Sequence, residues 1–168
     1  MYHCGNGMCT WYASWLALVR CKTGSRDAYD YLKMAVNNRG CFAEVFEINE
    51  PGIHVSIPWG TAIAGAYARA FQTMLLDCED DAIRIGQGVP RDWQQWRFTL
   101  RAPDDLLVTA KLENSACKMA ITAGALYSGR PKTVIAPDGK TYNIQPAAGT
   151  TIDLSSTEPP LSPLPINE

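Results

Sequence analysis

The sequence predicts an α+β protein in which helices come first and strands follow. Apolar residues recur at three-and-four spacing up to about Leu75, with Ile63, Tyr67, Ala70, Phe71, Met74 and Leu75 on one helical face. Beyond Phe98 the pattern becomes two-residue alternation, clearest where Leu107, Thr109 and Lys111 oppose Val108, Ala110 and Leu112. Between them stands GQGVP, Gly86 to Pro90, whose glycines and proline forbid a continuing helix and bend the chain.

The first helix is read over residues 8–22, with Trp11, Trp15, Leu18 and Val19 on one face and Gly24 just beyond its end. Ser25 is the expected N-cap of a second helix from Arg26 to about Asn38, with Ala28, Tyr31, Leu32, Ala35 and Val36 as its stripe. So short a connection predicts an antiparallel helical hairpin. Residues 41–57 break the helical period, place Glu44, Glu47 and Glu50 among apolar side chains, and turn at Pro51-Gly52, so they read as a loop. Thr61 is available to cap the third helix, which the acidic run from Asp77 to Asp81 interrupts. A short apolar piece from Ile83 to Ile85 comes next. Strands are expected at Phe98–Arg101, Leu106–Leu112, Cys117–Ile121, Thr133–Ile135, Thr141–Ile144 and Thr150–Leu154, with turns at Pro103-Asp104-Asp105, Asn114-Ser115 and Pro137-Asp138-Gly139. Short, regularly spaced strands predict an antiparallel β-sandwich or half of one. The division is a helical segment over 1–78, a sandwich over 79–155 and a proline-rich, polar tail over 156–168.

At 168 residues and 46% apolar content the chain has enough material for one real core or two small ones. A net charge of −2, a pI near 5.7 and no basic cluster argue against nucleic acid as a partner. No apolar run approaches membrane-helix length, and the opening MYHCGNGMCTWYASW has no basic region leading into an apolar one, so neither a membrane partner nor a signal peptide is read. The six cysteines read as scattered reduced thiols, although three bridges are arithmetically open. Cys4, Cys9 and His3 form only a loose metal pattern without a second ligand pair, so no metal and no cofactor are expected. The helices, with Trp11, Trp15, Tyr29 and Tyr31, carry more apolar surface than so few neighbours cover. Either the chain forms a homo-oligomer through these faces, or it is the end of something larger.

The stretch from Pro58 to Ala102 resembles the carboxy-terminal end of the (α/α)6-barrel glycoside hydrolases, most nearly the α-L-fucosidases of glycoside hydrolase family 95. That family carries patterns of the form GTAAIAEMLLQS, LPALPxxW and GLRARGG. Here stand Gly60-Thr61-Ala62, Met74-Leu75-Leu76-Asp77, Ile83-Arg84-Ile85, Gly88-Val89-Pro90, Trp93 and Phe98-Thr99-Leu100-Arg101-Ala102. The resemblance covers roughly residues 8–123 and implies the terminal helices of an (α/α)6 toroid followed by an antiparallel β-sandwich. It also implies a carbohydrate partner and a fragment without a complete active site of its own. It does not extend to the family's water-activating aspartate, in a segment like FQIDGNFG, because no carboxylate stands between Pro51 and Asp77.

Glycoside hydrolysis uses two carboxyl groups across the scissile bond, one protonated and one ionised. Glu44, Glu47 and Glu50 are the carboxylates in apolar, aromatic surroundings, and they are either solvated loop charges or catalytic groups. Of these, Glu47 is the preferred acid because Phe46 and Ile48 flank it, with Glu44 second. Candidate substrate contacts are Glu50, His54 as a donor or acceptor to a sugar hydroxyl, and Trp59 as an indole face for a sugar ring. Trp59 reads equally as a packing anchor, and His54 as an ordinary loop residue. Trp93 and Trp96 read as the seam between sheet and helices, and Asp77 to Asp81 as a solvated turn more than a calcium loop. The alternative to a hydrolase fragment is a non-catalytic carbohydrate-binding or oligomeric interaction module.

Overall fold

A computed structural model describes residues 10–37, 45–50, 53–57 and 61–157. Those residues form a mixed α+β protein with three helices, two four-stranded sheets and a two-stranded ribbon. The chain divides into two compact units. One comprises the sequence through Leu75 together with Gln87–Pro90; the other comprises Leu76–Gly86 and everything from Arg91 onward.

In the helical unit, α1 (Thr10–Lys22) ends where Gly24 takes a φ of 71°. Gly24 N–H donates to Cys21 O and Ser25 N–H to Arg20 O, the paired bonds that close a helix on a left-handed glycine. α2 (Ala28–Asn37) starts later than expected, and Ser25 is not its cap. Instead Asp27 precedes the first helical residue, and its carboxylate accepts from Ser25 Oγ at 2.6 Å and Arg20 Nη2 at 2.7 Å. α3 (Thr61–Leu75) completes the set.

The packing face of α1 is not the aromatic one. Ala13, Ser14, Ala17 and Cys21 are buried, whereas Trp11, Trp15 and Val19 are 44%, 50% and 52% exposed. Small side chains let α2 and α3 approach α1 closely, so the bulky face turns outward. Ala13, early in α1, shares a cluster with Ala35, late in α2, with Leu16 and Tyr67 packed against it, as an antiparallel hairpin requires. The α2 stripe buries Ala28, Leu32 and Ala35; α3 buries Ile63, Ala70, Met74 and Leu75 but leaves Phe71 exposed, contrary to the periodicity. The segment read as a loop is an antiparallel ribbon of β1 (Val45–Glu50) and β2 (Ile53–Ile57).

α3 passes into β3 (Leu76–Glu79) with no intervening residue. β3 turns at Asp80, φ 53°, into β4 (Ala82–Ile85). The chain then returns to the helical unit for Gln87–Pro90. There Gly88 N–H donates to Met74 O at 3.3 Å and Arg26 Nη1 to Val89 O at 3.4 Å. A Cβ on Gly88 would lie 3.0 Å from Cys21 Sγ and 3.1 Å from Met74 Cα, so the return demands a residue without a side chain.

The strand unit then lays down β5 (Gln95–Ala102), β6 (Leu106–Glu113), β7 (Ala116–Ala123), β8 (Lys132–Ile135), β9 (Thr141–Ile144) and β10 (Thr151–Thr157). One sheet has the order β10-β7-β6-β5, all antiparallel; the other has the order β3-β4-β8-β9. The second sheet departs from the antiparallel expectation, because β4 and β8 pair in parallel. Asn114 and Ser115 both take positive φ, giving the tight two-residue turn whose twist suits a hairpin. The core follows the alternation: Leu106, Val108, Ala110 and Leu112 on β6, with Cys117, Met119, Ile121 and Ala123 on β7, are 2% exposed or less. Trp96 stacks on Phe98 at 5.8 Å between ring centroids. It also packs within 3.3 Å of where a Cβ on Gly86 would sit, a second neighbour from the strand unit. β10 extends through Thr157, two residues into the expected tail; the remainder lies outside the described residues.

Candidate functional site

Two chemically distinct regions qualify as candidate sites, and a third is a structural charge cluster. The first is the β1–β2 ribbon. His54 pairs with Asn49, and Glu50 pairs with Ile53, so these two candidate residues are diagonal neighbours in the register. Glu47 falls at an irregularity, since the pairing passes from Phe46↔Ser56 to Ile48↔Val55 and leaves it unmatched. Bulges of this kind re-aim a residue and recur beside active sites. Glu47, Glu50 and His54 thus share one ribbon, whereas Glu44 and Trp59 lie outside the described residues.

The charge cluster is centred on Lys132, whose side chain is 7% exposed. Its Nζ lies 2.7 Å from Asp81 Oδ1 and 3.2 Å from Asp104 Oδ2. Asp104 in turn accepts from Ser128 Oγ at 2.6 Å and Ser128 N at 3.0 Å. Those Ser128 bonds hold the Asp104 carboxyl below its usual range, and Asp81 chiefly raises the Lys132 ammonium above its own. Burial raises the Tyr127 phenol, which donates to Arg130 O. Asp105 adds an acceptor for Leu126 N at 2.9 Å. An ammonium locked between two carboxylates is neither a nucleophile nor a base. The cluster fastens the 124–131 connection to the β5–β6 turn. Lys132 opens β8 one residue before the strand expected from Thr133 and shares the inward phase of Val134, so the sequence reading missed it.

The acidic run is an exposed turn from Glu79 to Asp81, as expected, but Asp77 at its start is buried. Asp77 is 6% exposed and Arg84 Nη1 reaches it at 3.5 Å, with Glu79 at 3.7 Å. Asp77, Glu79 and Asp81 each lie within 4 Å of a cation. No group of three or more His, Cys, Asp or Glu side chains among the described residues is placed to hold a metal ion. Cys21, Cys78 and Cys117 are reduced thiols. Among the described residues no helix is long and apolar enough to cross a membrane.

The second candidate, missed in the sequence, is on the outward face of the β10-β7-β6-β5 sheet. Register places Arg97 opposite Lys111, and Lys111 opposite Lys118. Cations that are scattered along the sequence therefore form one row across three strands. Only the pairing of strands creates it, so no local motif announces it.

Comparison with family models found no match, and comparison with curated proteins found none either.

Proposed function

We propose that this chain supplies the helix-to-sheet end of a glycoside hydrolase of the (α/α)6-barrel type, acting on oligo- or polysaccharide glycosidic bonds. The observation that carries the reading is the exposed stripe of α1. Trp11, Trp15 and Val19 stand at four-residue intervals on one exposed face, while the same helix buries its small residues against α2 and α3. A stripe of two indoles and a valine is the face a further helix covers. In the toroid that the junction resembles, the remaining barrel helices fill that role and the strand unit is its β-sandwich. Glu47 at the ribbon irregularity is the preferred acid, Glu44 the second carboxyl, and Glu50, His54 and Trp59 the sugar contacts. The family's water-activating aspartate has no counterpart, so the chain alone is inactive in this reading.

The test combines turnover and binding on the purified chain. Aryl glycosides should not be hydrolysed, and a panel of neutral oligosaccharides should contain at least one that shifts the backbone amide resonances of β1 and β2. Measurable turnover would refute the inactivity. A panel that moves no ribbon amide would remove the hydrolase reading. The same exposed stripe favours one rival, a module that self-associates; light scattering that shows a dimer, dispersed by Trp15→Ser, would favour it.

A further inference from the structure

At one end of the strand unit the connection from β7 to β8, residues 124–131, is held by groups that acid can neutralise. Its first tie to the β5–β6 turn is backbone to backbone, from Gly124 N–H to Asp105 O at 2.8 Å. The next ties end on carboxylates. Leu126 N–H donates to Asp105 Oδ2 at 2.9 Å, and Asp104 accepts from Ser128 N at 3.0 Å and from Ser128 Oγ at 2.6 Å. A Cβ on Gly124 would overlap the Asp105 carboxylate, so the glycine makes room for that grip. On its other side the connection has a neutral tie, from Gln145 Nε2 to Gly129 O at 2.8 Å.

The gripping turn is itself in a costly conformation. Asp104 and Asp105 take φ values of 67° and 54°, the left-handed region that disfavours a side chain. Their bonds to the connection offset that cost. The charged groups around Asp104 are few. Ser128 and the buried Tyr127 face it from the connection, Lys132 from β8, and Asp81 of the β3–β4 turn through that same ammonium. On its own turn Asp105 lies 3.7 Å from Arg101. A protonated carboxyl can still accept a bond, but it loses the charge that strengthens both bonds from Ser128 and the attraction to Lys132. The β5, β6, β7 and β10 ladders are joined backbone to backbone, so their bonds involve no titratable partner.

We propose that residues 124–131 form an acid-released strap: protonation of the Asp104 and Asp105 carboxylates frees this connection as a unit while both four-stranded sheets stay paired. Release uncovers Tyr127, which is 8% exposed in the closed strap. It also weakens the hold of Lys132 on the β5–β6 turn, and with it the link that one ammonium makes between turns of the two sheets. The bonds from Ser128 keep the Asp104 carboxyl below its usual range. The grip is therefore complete above about pH 4 and is lost as pH falls through the depressed folded value. The strap lies in the strand unit and stands whether or not the hydrolase reading holds.

The experiment is nitrogen-15 relaxation of the full chain, stepped from about pH 6 to about pH 3. Backbone order parameters of residues 125–130 should fall from about 0.85 to below about 0.6, while those of β6 and β7 stay near about 0.85. The midpoint is read from the Ser128 amide shift. Asp104→Asn keeps an acceptor without the charge, so it should loosen the strap already at about pH 6 and flatten the acid step. Gly124→Ala puts a Cβ where the Asp105 carboxylate sits, and should lower the Leu126 order parameter at that same pH without touching Asp104. The proposal is overturned if residues 125–130 keep their order parameters throughout the titration. It is equally overturned if β6 and β7 loosen in the same step, which would make the transition global, or if Asp104→Asn titrates with the midpoint of the unsubstituted chain.

Discussion

The two units treat apolar surface in opposite ways. In the strand unit the alternation is obeyed: β6 buries Leu106, Val108, Ala110 and Leu112 to 1% exposure or less and turns Thr109, Lys111 and Glu113 outward. In the helical unit the largest apolar side chains of α1, Trp11 and Trp15, are about half exposed, and that helix buries Ala13, Ala17 and Cys21 instead. Apolar burial contributes roughly 25 cal/mol per Å². β6 and β7 realise that contribution through their large residues, and α1 leaves much of the contribution of its two indoles unrealised. Among the described residues, the difference teaches that β6 and β7 bury their large apolar side chains by strict alternation, whereas α1 packs through its small ones and leaves its indoles about half exposed.

Substitutions in the strand core should break this comparison most severely. Leu112→Ala removes a side chain 1% exposed and should cost about 3 kcal/mol in denaturant unfolding, with the loss seen in the strand signals. Gly88→Val attacks the return of the chain onto the helices, where even a Cβ lies 3.1 Å from the Met74 backbone. It should cost about 2 kcal/mol, read in the helical signal at 222 nm on the order of a few degrees of thermal midpoint. Lys132→Met leaves Asp81 and Asp104 without their shared ammonium and should cost about 2 kcal/mol.

The same cluster sets a pH dependence. Asp104 has its folded pKa below the unfolded value, so its contribution is complete above about pH 4 and is lost as pH falls through the depressed folded pKa. Lys132 has its folded pKa raised, so its contribution is complete below the unfolded value near about 10.4 and is lost as pH rises through the folded one. Asp104→Asn should flatten the acid limb of a stability-against-pH curve. The smallest effect on stability is expected at the stripe: Trp15→Ser should change unfolding free energy by less than about 0.5 kcal/mol while reducing the binding of an apolar dye.

Much of the fold was legible because periodicity is a local signal. The hairpin of α1 and α2, the stop at Gly24 and every strand from β5 to β10 follow from spacing and turn residues. Three features were not legible, each for a physical reason. The packing face of α1 is one, because the indoles mark an apolar face with more surface than the neighbours cover without saying that the opposite, alanine face is the one that packs; that face wins because it permits close helix approach. The helix starts at Ala28 and not at Arg26, because Ser25 Oγ and Arg20, the latter seven residues away in sequence, are both engaged with the Asp27 carboxylate, a set of contacts no local pattern encodes. The β4·β8 parallel pair joins segments far apart in sequence, which no local pattern encodes. Of the candidate sites, the ribbon carboxylates were visible by composition, although as a loop; the row of Arg97, Lys111 and Lys118 exists only through register.

Native-state hydrogen exchange on the full chain tests the proposal that the exposed face of α1 is covered by further helices in a larger assembly. Amides of β6 and β7 should exchange only through global opening, and those of α1 should exchange roughly a hundredfold faster through local opening. Equal protection of α1 and β6 in the isolated chain would contradict the account, because it would mean that the exposed stripe of α1 needs no further partner.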